Sequence, residues 1–229
     1  ICKKIREIKK DIIIITDNCY GEFTEKLEAA DVGADLVIGS LIKNPGGGIV
    51  TCGGYIAGRA DLVERSACRL YAPGIGREGG ATLDFLRLAF QGLFIAPHIV
   101  MQAVRGAILA SKVFEEIGFD VSPKYDQKRT DIIQSIKFKN PKLLESFCKA
   151  IQENSPIDSY VSPIPDIVPG YEDNVIMAAG NFIEGSTIEL STDAPLREPY
   201  IAYLQGGLTY NHCKIAITAS LEKMSKFIK

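Results

Sequence analysis

Ile12-Ile13-Ile14-Ile15-Thr16-Asp17-Asn18 and, further along, Asp35-Leu36-Val37-Ile38-Gly39-Ser40 are two short apolar runs that each end in polar residues. Residues 12–16 are too few for a helix and apolar on both faces, as buried inner strands of a parallel sheet are. Residues 22–30 have helical character and Gly33 supplies a stop signal, so the stretch reads as a βαβ unit. Residues 49–58 read as a third strand, reached through the glycine-rich connection at 44–48. That connection is too short for a crossover, which implies an antiparallel return. The sheet is therefore expected to be mixed and mostly parallel, in an α/β fold.

Outward from this unit, residues 1–10 read as an amphipathic helix and 59–69 as another, followed by an irregular Gly/Pro-rich loop at 71–80. A long helix at 97–117 has Pro97 in its first turn and Gly118 after its end, matching helix start and stop chemistry. It is expected to join two domains, residues 1–110 and 111–229. In the second, strands are expected at 131–139, 175–179, 188–190 and 200–205, with helices at 141–153 and 211–227, giving a smaller α+β domain. The chain opens at Ile1, without an initiator methionine, on a helix leading straight into a strand, so an upstream portion is expected.

A net charge of −2 and a pI of about 5.8 offer no basic footprint for nucleic acid and no polybasic stretch for a membrane. No apolar run approaches the roughly eighteen residues of a membrane span. The six cysteines include no CxxC pair, and with two histidines they give no zinc pattern. They read as small buried hydrophobes. No secretory signal is evident, so reduced thiols in the cytoplasm are the expectation. The expected partners are small molecules or copies of the same chain.

Ligands of open α/β sheets sit beyond the carboxyl ends of the strands. Asp17 closes the first strand and Lys43 follows the second, so a right-handed connection brings an acid and an amine together there. Pyridoxal 5′-phosphate (PLP) is a flat ring with its nitrogen and its aldehyde-bearing carbon on opposite edges, and it needs a carboxylate for one and a lysine for the other. Asp17 is the candidate partner of the ring nitrogen, since a negative charge there favours the protonated pyridinium. Lys43 is the candidate Schiff-base lysine and, once displaced by substrate, the base and acid at the α carbon. Tyr20 could hydrogen-bond the ring oxygen, and Ser40 could hold a phosphate oxygen. Against these stand plainer readings: an aspartate after a strand commonly forms a turn, and a single lysine is commonly solvated surface. A nucleotide-binding loop would place its lysine after the glycines, whereas Lys43 precedes Gly46-Gly47-Gly48. Tyr55, Tyr71 and Gln205 read as packed or satisfied groups, and His98 as structural.

Thr16-Asp17-Asn18-Cys19-Tyr20-Gly21-Glu22-Phe23 and Gly39-Ser40-Leu41-Ile42-Lys43-Asn44-Pro45-Gly46-Gly47-Gly48 resemble the aluminium resistance proteins, a methionine γ-lyase-related (cystathionine β-lyase) family of fold type I PLP enzymes. The resemblance continues through Gly53-Gly54-Tyr55, Ala72-Pro73-Gly74-Ile75-Gly76, Gln91-Gly92-Leu93-Phe94, Pro169-Gly170-Tyr171 and residues 197–207. It implies an aspartate aminotransferase-like fold and a carbon–sulfur lyase acting on a sulfur amino acid, with Lys43 as the Schiff-base lysine. It also implies a dimer or tetramer with shared active sites, and a phosphate loop and ring-stacking residue upstream of Asp17. Fold type I enzymes draw a substrate-carboxylate arginine from the C-terminal domain. Arg197, whose planar guanidinium can grip a carboxylate bidentately, is the candidate here, with surface ion pairing the alternative. Better-studied sulfur-amino-acid lyases carry Ser-x-Thr-Lys and a phenylalanine where this chain has Ser40-Leu41-Ile42-Lys43 and Tyr20. Tyr20 suggests an aminotransferase as the alternative reaction, and the family's name leaves room for a non-catalytic stress or metal-tolerance protein that kept the fold.

Overall fold

The computed structural model describes residues 1–79, 82–180, 182 and 188–227. The first three strands form one mixed sheet. β1 (Ile15–Asp17) pairs in parallel with β2 (Leu36–Ser40), placing Asp17 opposite Ile38. β3 (Gly54–Gly58) returns antiparallel, with Ser40 opposite Gly54, as the short connection requires. β1 is an outer strand of this sheet, and Ile12, Ile13 and Ile15 are 38%, 44% and 57% exposed. The expectation of a buried inner strand is therefore not met.

The expected helix at 22–30 is also absent. Tyr20 and Phe23 take left-handed backbone angles, with φ of 71° and 61°, which no right-handed helix accommodates. Local side chains then occupy the donors that a helix would have used. Glu28 Oε1 accepts the Phe23 amide at 2.9 Å, and Asp31 Oδ2 accepts the Glu28 amide at 2.9 Å. The connection between β1 and β2 is thus a chain of turns.

Helix α1 (Cys2–Ile8) is tied to the sheet through buried Asp35. Its carboxylate takes Arg6 at 2.7 Å, the Ile14 amide at 2.8 Å and Arg59 at 3.3 Å. Arg59 immediately precedes α2 (Ala60–Leu70). These bonds, the Ile14 amide first, hold the Asp35 carboxyl below its ordinary range. Residues 71–79 of the expected loop are turns and irregular chain, and Gly80 lies outside the described residues.

Helix α3 (Phe85–Glu116) starts well before Pro97, which lies in its interior. Pro97 is not the start signal its position suggests, because the burial of Gly92, Ala96, Val100 and Ala103 around it carries the helix through. By length and composition α3 could cross a bilayer, although no unbroken apolar run signals it. Its buried small residues instead make it a spine against which other elements pack. Two glycines set the closest approach: a Cβ on Gly92 would lie 2.3 Å from the Gly46 carbonyl oxygen.

The second sheet has the order β4-β5-β8-β7-β6 and is antiparallel throughout. Its strands are β4 (Asp120–Ser122), β5 (Gln134–Lys137), β6 (Val175–Ala178), β7 (Ser191–Pro195) and β8 (Ile201–Gln205). Helices α3 and α4 (Pro141–Glu153) pack on the sheet, and α5 (Tyr210–Met224) packs against both helices. Phe114 of α3 meets Phe147 of α4 edge-on at 5.5 Å in the core. Ile188-Glu189-Leu190, expected as a strand, is a buried bend that leads into β7. The expected domain division after residue 110 falls inside α3. Of the cysteines only Cys148 and Cys213 are buried, whereas Cys52 and Cys68 are exposed, so the small-hydrophobe reading holds for two of them.

Candidate active site

The carboxyl ends of β1 and β2 lie side by side, and four of the expected groups gather there. Asp17 is the last residue of β1, and its Oδ1 accepts the Cys19 amide at 3.0 Å. That bond, then the Cys19 thiol, then the charge of Lys43 hold the Asp17 carboxyl below the usual range. It is an exposed, ionised acid. Burial, then the hydrogen bond to Asp17, push the Cys19 thiol up, so the thiol stays protonated and able to donate.

Lys43 is half-buried, with its Nζ 4.9 Å from the centre of the Tyr20 ring. The left-handed turn at Tyr20 carries that ring across the strand ends, and a non-glycine residue held in that region marks a position the surrounding structure over-determines. Tyr20 also packs on the cluster of Val100, Ala103, Ile132 and Ile188. Ser40 ends β2, where its Oγ accepts the Ile42 amide at 3.4 Å, leaving the hydroxyl proton to donate. Asp17, Tyr20, Ser40 and Lys43 thus gather at one sheet end.

The segment carrying Lys43 is pinned from several sides. Asn44 is fully buried and donates its side-chain amide to the Glu22 carbonyl at 3.0 Å. A 3-10 turn at Asn44–Gly46 follows, and Gly47, at φ 56°, lies so near Gly92 on α3 that a Cβ would come within 2.6 Å of the Gly92 carbonyl oxygen. Behind the sheet, Tyr55 Oη donates to Glu22 Oε1 at 2.8 Å. Burial raises the pKa of both groups. Tyr55 is therefore a satisfied polar contact, as read from the sequence. Gln205 is likewise satisfied, donating to Asp193 Oδ2 at 3.2 Å.

Arg197 has a different setting. It follows β7, is exposed, and is ion-paired with Asp173 at 3.4 Å, which matches the surface alternative. No local sequence signal singles out Cys19, Asn44, Glu22 or Asp193 as part of the site. Cys19 and Asn44 stand next to singled-out residues. Asp193 is far from them in sequence, and the fold brings it within electrostatic range of Lys43.

The chain matches the methionine gamma-lyase family over residues 1–225. It belongs to that family. Its curated relatives include uncharacterized protein YnbB of Bacillus subtilis, 52% identical over 96% of this chain and 52% of the relative. An uncharacterized 33.9 kDa protein of Lactobacillus delbrueckii subsp. bulgaricus is 50% identical over 96% of this chain and 72% of its own. Among solved structures, a carbon-sulfur lyase involved in aluminum resistance from Clostridium novyi superposes with a TM-score of 0.90 at 59% identity, over 96% of this chain and 51% of that one. The chain thus spans about half the length of the first of these relatives. More distantly, the pyridoxal-5′-phosphate dependent protein YhfS of Escherichia coli shares the fold at a TM-score of 0.57 and 15% identity. The α/β fold with mixed sheet is that of fold type I proteins.

Proposed function

We propose that this chain is the part of a PLP-dependent carbon–sulfur lyase that holds the cofactor-linking lysine, and that the substrate is a sulfur-containing amino acid. The observation that carries the reading is the meeting of Lys43, Tyr20 and Asp17 at the ends of two adjacent parallel strands, in a chain of this family. The donor set suits PLP: an ionised carboxylate for the ring nitrogen, an amine for the aldehyde carbon, and the Ser40 hydroxyl for the phosphate. Bound PLP would supply a protonated ring that takes up electrons from the substrate's α carbon.

Each residue then has a task. Asp17, kept ionised by Cys19, would hold the proton on the ring nitrogen. Lys43 would carry the cofactor and, once freed, take the α proton and return it elsewhere. The Tyr20 ring confines the amine, and its phenol would hydrogen-bond the cofactor's ring oxygen. Arg197 would have to exchange Asp173 for the substrate carboxylate to serve as the grip. The net β- or γ-elimination converts a thioether amino acid and water into a thiol, a 2-keto acid and ammonium. A homo-oligomer with shared sites and a cytoplasmic setting complete the reading. Six free cysteines suit the latter.

The test uses the full-length protein with PLP and a panel of thioether amino acids. Stoichiometric thiol and ammonium are expected. Nitrogen appearing instead on an added keto acid would make the protein an aminotransferase, and no turnover of either kind would favour the non-catalytic alternative.

A further inference from the structure

A second acid, on the other sheet, lies within electrostatic range of the amine. Asp193 lies mid-way along β7, in register with Met177 on β6 and Tyr203 on β8. Met177 and Tyr203 are 42% and 37% exposed, whereas the flanking Ala194 is fully buried in the core under α4. Side chains alternate across a strand, so Asp193 stands on the open face, with Gln205 donating to its Oδ2 at 3.2 Å. The Lys43 segment is joined to the bend that leads into β7: the Ile188 amide donates to the Ile42 carbonyl at 3.4 Å, and Ile188 packs under Tyr20. Burial pushes the Asp193 carboxyl up, while Gln205 and then Lys43 oppose that shift. The charge of the amine is therefore felt at this acid.

We infer that Asp193, braced by Gln205, is a positioning residue for Lys43, supplying from the second sheet a negative charge that favours the protonated form of the lysine–cofactor link. The inference rests on the reading that Lys43 carries PLP. A carboxylate on the approach to an amine stabilises a positive charge there, and a buried amide partner keeps it in one orientation. The other ionisable groups facing the pair are Asp17 and Tyr20 on the Lys43 side and Cys148 of α4 behind Asp193. None of the three is altered in the test.

The experiment is a pH titration of the visible absorbance of PLP-loaded full-length protein. Asp193→Asn should lower the titration midpoint by about one pH unit, as loss of a nearby opposite charge does, and Asp193→Glu should return it most of the way. Gln205→Leu should move it less, in the same direction. A folded, coloured Asp193→Asn protein with an unchanged midpoint overturns the inference. If that variant fails to fold, Gln205→Leu decides: a lowered midpoint supports the inference, and an unmoved one ends it. A wild-type protein that stays colourless with PLP defeats the Lys43 reading itself, and this inference with it.

Discussion

Asp17 and Lys43 are ordinary residue types made unusual by what surrounds them. The Cys19 amide and thiol converge on Asp17, so the acid stays charged. Removing only that charge, with Asp17→Asn, should leave the lysine able to attach PLP but lower the elimination rate by about a hundredfold to a thousandfold, the usual cost of one preorganised electrostatic group. Steady-state kinetics on full-length protein, with the bound-cofactor spectrum as a control, would read it. A rate within a factor of a few of wild type would mean that Asp17 does not face the ring nitrogen. At this scale the sequence was most legible, because Asp17, Tyr20, Ser40 and Lys43 are short-range spacings at strand ends. Asp193 was not, since its approach to Lys43 depends on how two sheets pack.

Among the elements, α3 and the turn at Asn44–Gly46 form the contact that sets the height of the Lys43 segment. Gly92→Ala would drive a methyl into the Gly46 carbonyl. Overpacking of this kind costs about 1–3 kcal/mol, visible as a lowered urea midpoint and accompanied by weaker PLP binding. Unchanged stability would mean that the helix can move away freely. Asp35 gives a test with a defined sign. Its carboxyl is depressed in the folded protein, so its contribution is complete above the ordinary aspartate value of about 4 and is lost as pH falls through the depressed one. The gap in urea midpoint between wild type and Asp35→Asn should hold steady from about pH 7 to 5 and close toward about pH 2. A gap that widens on acidification would reverse the assignment. Elements were legible where local chemistry and packing agree: α4 has the expected bounds, its Asn140 cap accepting the Lys142 amide. They were misread where packing overrules a local signal, as at Pro97, or where side chains take the backbone's donors, as between β1 and β2.

For the whole molecule, apolar surface remains uncovered. Ile13, Ile15 and Ile56 on the first sheet and Phe90 and Phe94 on α3 are 43% to 86% exposed, more than scattered surface residues would account for. The 229-residue chain on its own is therefore expected to self-associate and to bind an apolar dye, measured by light scattering and fluorescence. A dispersed monomer that ignores the dye would show that these side chains find cover within the chain. Such surfaces carry no local mark in the sequence, because an exposed isoleucine and a buried one are the same letter. The central claim concerns one bond. Borohydride reduction of the PLP-loaded full-length protein, followed by peptide mapping, should place the phosphopyridoxyl mass on Lys43, and a label on any other lysine would contradict it.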